Sequence, residues 1–360
     1  MDYYIYGPDF TLKKVLDNYI SSIWTVRYDK YGDFEICIPY SKDIFDEIIL
    51  DDYIVRPDSD RMMIVEDVQI DTDAEGGNRI IFSGRSIESI LDRRVLFSQT
   101  IVAGNTQDGI ESLLNVNAIS PTDTNRKLPI IFRKSDDPTV TSLETVYQFS
   151  GESLYEAVNA LCVEWSIGFR MIPDLSAGNF IFELYNGVDR SYYQTERPYV
   201  MFSPDFDNIV TSSYVASKKE YKNVAYAAGE GEGSERTVIA VYSGDAEAAG
   251  IARRETYVDA GSVSSTTEEG TMAQEEYLKQ LASRGTEELD KVAGTTYFEG
   301  EVDTSRQFVH GIDFNIGDIV QLRNEYDIEV CARVTELVLS DDQNGATAVP
   351  TFTSIEKEER

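Results

Sequence analysis

The chain has 360 residues, of which 42% are apolar and 11% aromatic, a composition typical of a folded protein with an ample core. Its 64 acidic and 32 basic side chains give a formal charge of −32, which argues against binding nucleic acid by phosphate neutralisation. At roughly 100–200 residues per domain, the length predicts about two to four domains.

Residues 1–97 read as short strands separated by turns. Alternating polar and apolar side chains at residues 33–38 are typical of a half-buried strand. The sequence Glu75-Gly76-Gly77-Asn78 lies between two further strand patterns and predicts a hairpin. Ser86 is expected to cap a short helix whose apolar face is formed by Ile87, Ile90 and Leu91. We therefore expect a small antiparallel barrel that ends in a helix.

Residues 98–205 change character and predict an α+β module. Ser153 and Glu156 form a capping box at the start of a helix. The apolar face of this helix is formed by Leu154, Val158, Leu161 and Trp165. Strand patterns at residues 169–172 and 179–185 follow, so we expect the helix to pack on strands.

The β pattern returns after residue 205 and is interrupted by a helix. We expect a second barrel formed by residues 206–245 and 295–355, with a helical insertion at residues 246–294. Thr266 and Glu269 read as a second capping box. The apolar stripe of the inserted helix is formed by Leu278, Leu281, Gly285, Leu289 and Val292. The expected fold class is β-rich α+β, with two small antiparallel barrels, an α+β module between them and a helical insertion.

Motifs that carry chemistry are weak or absent in the sequence. His310 is the single histidine, so no multi-histidine zinc site is possible, and its flanks match no nucleophile motif. The run Gly229-Glu230-Gly231-Glu232-Gly233 lacks a cation for phosphate and reads as a flexible hairpin turn. Asp71-Thr72-Asp73 followed by Gly76 lacks the register and the closing glutamate of a calcium loop. We therefore expect no catalytic, cofactor-binding or metal-ligating residues and no cofactor.

The remaining conspicuous side chains favour structural roles. Cys37, Cys162 and Cys331 are far apart and are expected to be buried thiols, and Trp24 and Trp165 are expected in the core. The 22 tyrosines favour packing or a subunit interface, with a sugar-binding surface as the alternative. The start of the sequence predicts no signal peptide, and no apolar run is long enough to predict a membrane span.

Short motifs distributed along the chain resemble those of the tail-hub (tail-tip) proteins of siphophages and prophages, a family related to the baseplate hub of contractile phage tails. The likeness extends over nearly the whole chain and rests on the order and spacing of short motifs. Those motifs are Trp24-Thr25-Val26-Arg27-Tyr28, Tyr31-Gly32-Asp33-Phe34-Glu35, Ser83-Gly84-Arg85-Ser86, Leu91-Asp92-Arg93-Arg94, Tyr221-Lys222-Asn223-Val224, Gly229-Glu230-Gly231, Arg253-Arg254-Glu255, Asn315-Ile316-Gly317-Asp318-Ile319-Val320, Ala332-Arg333-Val334-Thr335-Glu336 and Pro350-Thr351-Phe352.

The resemblance implies a non-enzymatic structural protein of the virion tail tip, made in the host cytoplasm. It implies a homotrimer in which two tail-tube-like barrels per chain give a six-membered ring, joining the six-fold tail tube to a three-fold tip. Its implied partners are the distal tail protein or tail tube above, tip or fibre proteins below, and the tape-measure protein. DNA would pass through the channel without specific binding.

Two questions stay open at this level. The acidic charge could repel DNA from the wall of an exit channel, over roughly 10 Å at physiological salt, or could simply keep an assembly protein in solution. The alternative functions are a cell-wall hydrolase that uses two carboxylates as a glycosidase, and a carbohydrate-binding tail adhesin that uses its tyrosines.

Overall fold

The computed structural model describes residues 1–73, 77–244, 248–267, 270–302 and 307–355. Strands make up 41% and helices 22%, so the expectation of a β-rich α+β protein is confirmed. The strands, in chain order, are β1 Tyr3–Tyr6, β2 Leu12–Leu16, β3 Ser21–Arg27, β4 Asp33–Pro39, β5 Tyr53–Val55, β6 Met62–Ile64, β7 Asp67–Asp73, β8 Gly77–Arg85, β9 Thr100–Asn105, β10 Ile130–Arg133, β11 Glu144–Phe149, β12 Gly168–Asp174, β13 Asn179–Tyr185, β14 Met201–Phe202, β15 Ile209–Ser217, β16 Val224–Ala228, β17 Val238–Tyr242, β18 Glu255–Asp259, β19 Thr266–Thr267, β20 Gly270–Thr271, β21 Thr295–Val302, β22 Ile319–Arg323, β23 Glu329–Asp342 and β24 Gly345–Ser354.

The helices are short except for one. The α-helices are α1 Lys42–Glu47, α2 Thr106–Leu114, α3 Pro138–Thr141, α4 Leu154–Glu164 and α5 Gln274–Lys291. A 3₁₀ helix spans Ile87–Arg93, and α2 continues into a π-helical turn at Asn115–Ile119.

Ten strands form one large sheet with the order β15-β21-β24-β23-β3-β4-β8-β7, to which β22 adds beside β23 and β14 beside β22. Eight of these strands divide into two sets of four, which we name the first module (β3, β4, β7, β8) and the second module (β15, β21, β23, β24). Numbered along the chain within each set, both modules have the spatial order first, second, fourth, third. The two ends of the chain therefore build the same strand topology.

The two modules are connected edge to edge by a pairing that we name the joint. Strand β3 pairs antiparallel with the second half of β23, from Ser21 opposite Asp342 to Arg27 opposite Glu336. Two separate closed barrels were expected, but no sheet of the described residues closes on itself. The physical reason is that β3 and β23 satisfy their edge hydrogen bonds with each other, which fuses both modules into one sheet.

A second, smaller sheet covers the first module. Its strand order is β2-β1-β5-β6, and Tyr3 and Ile5 alternate with outward side chains on β1. These residues and strands β3, β4 and β8 share one core, because alternate side chains of each strand point to the same face. Its fully buried members include Trp24, Ile36, Ile80 and Phe82.

The middle of the chain packs helices against small sheets. Strands β10-β13-β12 and β11-β9 surround a core shared with α2 and α4. The capping box at the start of α4 is confirmed: the Ser153 hydroxyl accepts from the Glu156 amide at 3.1 Å, and the Glu156 carboxylate accepts from the Ser153 amide at 2.8 Å. The prediction for Trp165 is wrong, since this side chain is 38% exposed. Helix α4 ends at Glu164, so Trp165 no longer follows the helical face.

The insertion between β15 and β21 is a unit of its own. Strands β16, β17 and β18 form a three-stranded sheet apart from the large one, so only β15 of residues 206–245 enters the second module. Helix α5 packs on this sheet. Position 285 of α5 favours glycine, because a Cβ there would overlap the Val241 side chain. The predicted capping box at Thr266 is wrong: Thr266 pairs with Thr271 in a β-ladder, and α5 begins at Gln274. Glu269 lies outside the described residues.

Other local predictions have mixed outcomes. Ser86 precedes a helix as predicted, but its hydroxyl accepts from the Gly32 amide at 2.8 Å instead of capping that helix. Trp24 is fully buried, and Cys37 and Cys162 are buried thiols. Cys331 is only half-buried, because it lies on β23 beside a surface cleft.

Candidate functional site: an inter-module cluster and the surfaces around it

A cluster of buried and half-buried polar side chains lies where the first module, the middle region and the second module meet. Tyr28 follows β3, Tyr185 ends β13, and their rings contact edge to face with centroids 5.2 Å apart. Arg333 from β23 lies over the Tyr28 ring at 4.9 Å and donates to the Tyr28 hydroxyl at 3.2 Å. Arg333 also donates to the Asn186 side chain at 3.1 Å and the Gly317 carbonyl at 2.6 Å. One guanidinium therefore holds three parts of the chain together.

The second half of this inter-module cluster is a buried ion pair. Arg61 and Glu88 are 4% and 1% exposed, and Arg61 Nη1 donates to Glu88 Oε1 at 2.7 Å. The same carboxylate oxygen accepts from the Met171 amide at 2.9 Å, and Arg61 donates to the Tyr185 hydroxyl at 3.3 Å. Burial is the largest influence on Arg61 and disfavours its charge, but Glu88, Tyr185 and Asp60 together outweigh burial, so the pKa of Arg61 is raised. The pair ties the loop before β6 and the 3₁₀ helix after β8 to β12 and β13.

The tyrosines of the cluster act as neutral hydrogen-bonding groups. Burial raises the pKa of Tyr185 to about 12, despite the opposing charges of Arg61 and Arg170. Burial also raises the pKa of Tyr28 well above its usual range. Because both hydroxyls keep their protons near neutral pH, the cluster supplies structural contacts and no phenolate nucleophile.

A third contact fixes the loop after β13 against the segment just before β22, the strand that pairs with β23 of the second module. Asp318, which is 2% exposed, accepts from the Val188 amide at 2.9 Å and from Arg190 Nε at 2.7 Å. Beside it, the backbones of Gly187 and Gly317 approach so closely that a Cβ on Gly187 would overlap the Gly317 carbonyl. Glycine at position 187 is therefore required by close backbone approach.

His310 borders a cavity of about 260 Å³ next to the cluster. Its ring contacts Phe314 edge to face at 5.7 Å, and the cavity is also lined by Asp58, Asp60 and Arg61. Burial lowers the pKa of His310 below 6.5, against the opposing effect of Asp60 and the other nearby carboxylates.

The single histidine allows a direct measurement of this pKa. We expect the imidazole of the folded protein to titrate below 6.5, because burial disfavours the cation. The unfolded state then binds more protons, so this group lowers stability as the pH falls from 6.5 towards the folded pKa. Titration of the imidazole C–H resonances by NMR needs no assignment, and a pKa above 6.5 would contradict the burial argument.

The insertion docks on the middle region through contacts that centre on Arg284 of α5 and include a hydrogen bond from the Ser283 hydroxyl to the Val146 carbonyl at 3.0 Å. Arg284 donates to the Gln148 carbonyl at 2.9 Å, to Glu152 at 2.9 Å and to the Tyr147 hydroxyl at 3.2 Å. Its guanidinium also lies 4.8 Å from the centroid of the Tyr147 ring. Tyr147 in turn donates to Glu287 on the next turn of α5.

Replacing Arg284 by Ala is expected to loosen the insertion without unfolding the rest. The lost charge-assisted hydrogen bonds are worth about 2 kcal/mol. This loss makes the population of molecules in which the insertion is detached roughly 30-fold larger. Limited proteolysis of the insertion under native conditions should accelerate by that factor. The matched control is Lys279→Ala, whose ion pair with Glu275 on the same helix is largely exposed, and equal cleavage of both variants would refute the prediction.

The other residues singled out from the sequence lie apart from this cluster. Residues 229–233 belong to the loop between β16 and β17, so the predicted hairpin is confirmed. Asp71 and Asp73 lie on β7, while Gly76 is outside the described residues. In the part of the chain that the structure describes, no group of three or more His, Cys, Asp or Glu side chains is placed to bind a metal ion.

Sequence reasoning missed the Arg61–Glu88 pair. Arg61 follows a turn at Pro57-Asp58, and Glu88 lies in a helix, where charged side chains are normally solvated. The available signal was the pattern of Ile87, Ile90 and Leu91, because a short helix with this much apolar surface is buried at residues 87–91, and the carboxylate of Glu88 then needs a partner.

The comparisons with known proteins address the whole chain. No helix among the described residues is both long and apolar enough to cross a membrane.

No curated protein matches the chain. A solved tail protein of 43 kDa from prophage MuSo2 of Shewanella oneidensis is similar, with 14% identity, a TM-score of 0.57 and coverage of 98% of both chains. A tail protein from Neisseria meningitidis MC58 has 10% identity and a TM-score of 0.56, covering 98% of this chain and 96% of that one.

A third structure and a family model agree with these. Prophage tail protein gp18 from Listeria monocytogenes EGD-e is 13% identical with a TM-score of 0.53, covering 99% of this chain and 96% of that one. At such low identity the structures show a shared fold. The family model described as "Siphovirus ReqiPepy6 Gp37-like protein" matches residues 2–352. The chain therefore belongs to the siphovirus Gp37-like family of phage tail proteins, as its resemblance to tail hubs indicated.

Proposed function

We propose that this protein is a structural hub of the phage tail tip, which joins the six-fold tail tube to a three-fold tip and forms part of the DNA exit channel. The observation that carries the proposal is the repeated strand order of the two sheet modules. Three chains with two equivalent modules each present six modules around one axis, which matches a six-fold tube. In this proposal each module takes the place of one subunit of the tail tube in the assembled ring.

The proposed partners follow from that position in the virion. The chain forms a homotrimer that contacts the tail tube or distal tail protein above and tip or fibre proteins below. The tape-measure protein lies in or near its channel before ejection. Support comes from the family of phage tail proteins and from the three similar prophage and bacterial tail structures.

The net charge of −32 suits a channel through which DNA passes. Carboxylates on the inner wall would repel the phosphates over roughly 10 Å, so that DNA does not adhere in transit. Exchanging inner-wall Asp and Glu for Lys is expected to slow DNA ejection. Unchanged ejection kinetics would favour the reading that the charge only maintains solubility.

The experiment that tests the hub is mass photometry of the purified chain, combined with negative-stain microscopy. We expect a species of three times 40.5 kDa that forms rings with a central hole. A protein that stays monomeric at all concentrations, or forms compact particles without a hole, would overturn the proposal. The proposed absence of catalysis is tested by zymography on cell-wall material, where a band of lysis would favour the glycosidase alternative.

A carbohydrate-binding adhesin is the second candidate because of one surface feature. Tyr192 and Tyr193 are 40% and 55% exposed, and their rings stack with centroids 4.3 Å apart. Tyr193 also borders a cleft of about 920 Å³. Exposed aromatic faces of this kind bind sugar rings. Binding on a glycan array that is lost in Tyr193→Ala would favour the adhesin over a purely structural hub.

A further inference from the structure

A patch of positive charge lies on the surface where the chain passes from the first module to the middle region. It consists of Arg94, Arg126 and its neighbour Lys127, together with the aromatic ring of Phe97, and we name it the basic patch. The whole chain carries 64 acidic and 32 basic side chains, so it is strongly negative on average. A local group of cations on such a chain attracts a partner of opposite charge.

Backbone carbonyls hold the guanidinium groups of the patch close together. Arg94 Nε donates to the Arg126 carbonyl at 2.6 Å, and Arg94 Nη1 donates to the Arg93 carbonyl at 2.8 Å. Arg126 Nη2 donates to the Val95 carbonyl at 2.8 Å. The pKa of Arg94 is lowered, first by burial and then by the positive charges of Arg126 and Arg93, as expected for neighbouring cations. Arg93 itself pairs with Asp51 at 2.9 Å.

The charge of the basic patch is not compensated by carboxylates of the residues that the structure describes. Within those residues, the three cations of the patch form no ion pair. The carboxylates that are nearest along the chain bind other groups. Asp92 accepts from the Ser153 hydroxyl at 2.9 Å, and Asp123 accepts from the backbone amide two residues further on at 3.0 Å. The patch therefore has vacant positions for carboxylates from outside the chain.

The centre of the patch is apolar and exposed. Phe97 is 78% exposed and Val95 is 49% exposed. The Arg126 guanidinium lies 4.7 Å from the centroid of the Phe97 ring. A single exposed apolar side chain is common on protein surfaces. An aromatic ring beside arginines, however, has the composition of the residues that contribute most to protein–protein binding.

The exposed side chains stand on a fixed backbone. Leu96, between Val95 and Phe97, is 1% exposed. Its amide donates to the Glu152 carbonyl at 2.9 Å, and its carbonyl accepts from the Gly151 amide at 2.8 Å. Because this backbone is already ordered, a partner that binds here loses little free energy to ordering of the patch.

We propose that the basic patch docks an acidic segment of another protein. Carboxylates of that segment pair with Arg94, Arg126 and Lys127, and an apolar side chain beside them packs on Phe97. Carboxylates suit the patch because a guanidinium binds them through two parallel hydrogen bonds. This docking surface does not depend on the proposed homotrimer.

The net charge favours a short acidic segment over a long polyanion. The attraction of the patch extends over roughly 10 Å at physiological salt. A nucleic acid that binds here would continue past the patch onto a chain of net charge −32, which repels its phosphates. A protein segment with a few carboxylates avoids this repulsion, and only the protein segment brings an apolar side chain to Phe97.

The test is the binding of a short fluorescein-labelled peptide of repeated Glu, Asp and Phe to the full-length protein, measured by fluorescence anisotropy. The double variant Arg126→Glu/Lys127→Glu is expected to weaken binding at least about tenfold. The matched control Lys218→Glu/Lys219→Glu changes the net charge equally at exposed positions elsewhere, and it should stay within about twofold of the wild type. Phe97→Ser leaves the charge unchanged and should weaken binding about fivefold.

The outcomes separate the possible occupants. Absence of saturable binding, or equal loss in both double variants, overturns the proposal, because the patch then has no specific role. Equal binding of a single-stranded oligonucleotide through the same residues assigns the patch to phosphates and also overturns it. Dissociation of an oligomer by Arg126→Glu/Lys127→Glu in mass photometry assigns the patch to a second copy instead. The oligomeric state of the wild type tests the hub separately, so failure of this docking leaves the hub standing.

Discussion

Replacing Glu88 by Gln is expected to lower the free energy of unfolding by about 3 kcal/mol, because it removes the buried counter-ion of Arg61. Among the described carboxylates only Asp60 then remains, 3.6 Å from Arg61 Nε and 45% exposed. Arg61 and Glu88 are 4% and 1% exposed, so water cannot take over the lost interaction. The amide of glutamine keeps the size of the side chain and an acceptor for the Met171 amide, which isolates the effect of charge. The change is measured as a shift of the urea unfolding midpoint at constant slope.

Two variants make this result specific. Asp51→Asn removes an ion pair with Arg93 whose side chains are 63% and 45% exposed, and it should cost less than about 1 kcal/mol. The double variant Arg61→Met with Glu88→Met removes both charges and should be more stable than Glu88→Gln alone. A loss below about 1 kcal/mol for Glu88→Gln would show that the pair is not the main contact between these regions.

Replacing Gly187 by Ala is expected to have a similar effect, at about 3 kcal/mol, the upper end for overpacking. The added methyl group would overlap the backbone carbonyl of Gly317, so relief requires movement of the chain and not of a flexible side chain. The loop after β13 would then separate from the second module and weaken the contacts of Asp318 with Val188 and Arg190. Thermal and urea unfolding would both report the loss.

The matched control for this prediction is Gly294→Ala. A Cβ at Gly294 would lie 3.7 Å from Lys218 and Tyr221, an ordinary contact distance, so the change should stay within about 0.5 kcal/mol. If the two glycine variants were equally stable, close approach at Gly187 would not be what fixes this loop.

The secondary-structure elements could largely be predicted from the sequence, because local patterns determine them. The alternation at residues 33–38, the capping box at Ser153 and the strand patterns after residue 295 all lie in the elements observed. The wrong predictions fall at positions where tertiary contacts, and not the local pattern, determine the secondary structure or burial. Thr266 has the residue type of a cap but pairs in a ladder, and Trp165 continues an apolar spacing just beyond the end of its helix.

The candidate site was much harder to predict from the sequence. The contact between Arg61 and Glu88 joins residues 27 positions apart, and that between Arg333 and Tyr28 joins residues 305 positions apart. No local pattern marks such pairs, because side chains of the same types are far more often solvated. The pairing of β3 with β23 was equally hidden, since edge pairing depends on backbone groups that every residue carries.

The long sequence separation within the joint has a consequence for the timing of folding. Residues 21–27 are synthesised at the beginning of translation, but their partners at 336–342 emerge near its end. Until then β3 carries a bare edge, and slow closure of such distant contacts leaves nascent chains exposed to wrong partners. Ribosomes that stall or terminate before residue 336 would therefore release chains prone to misassociation, because β3 finds its partner strand only in a finished polypeptide.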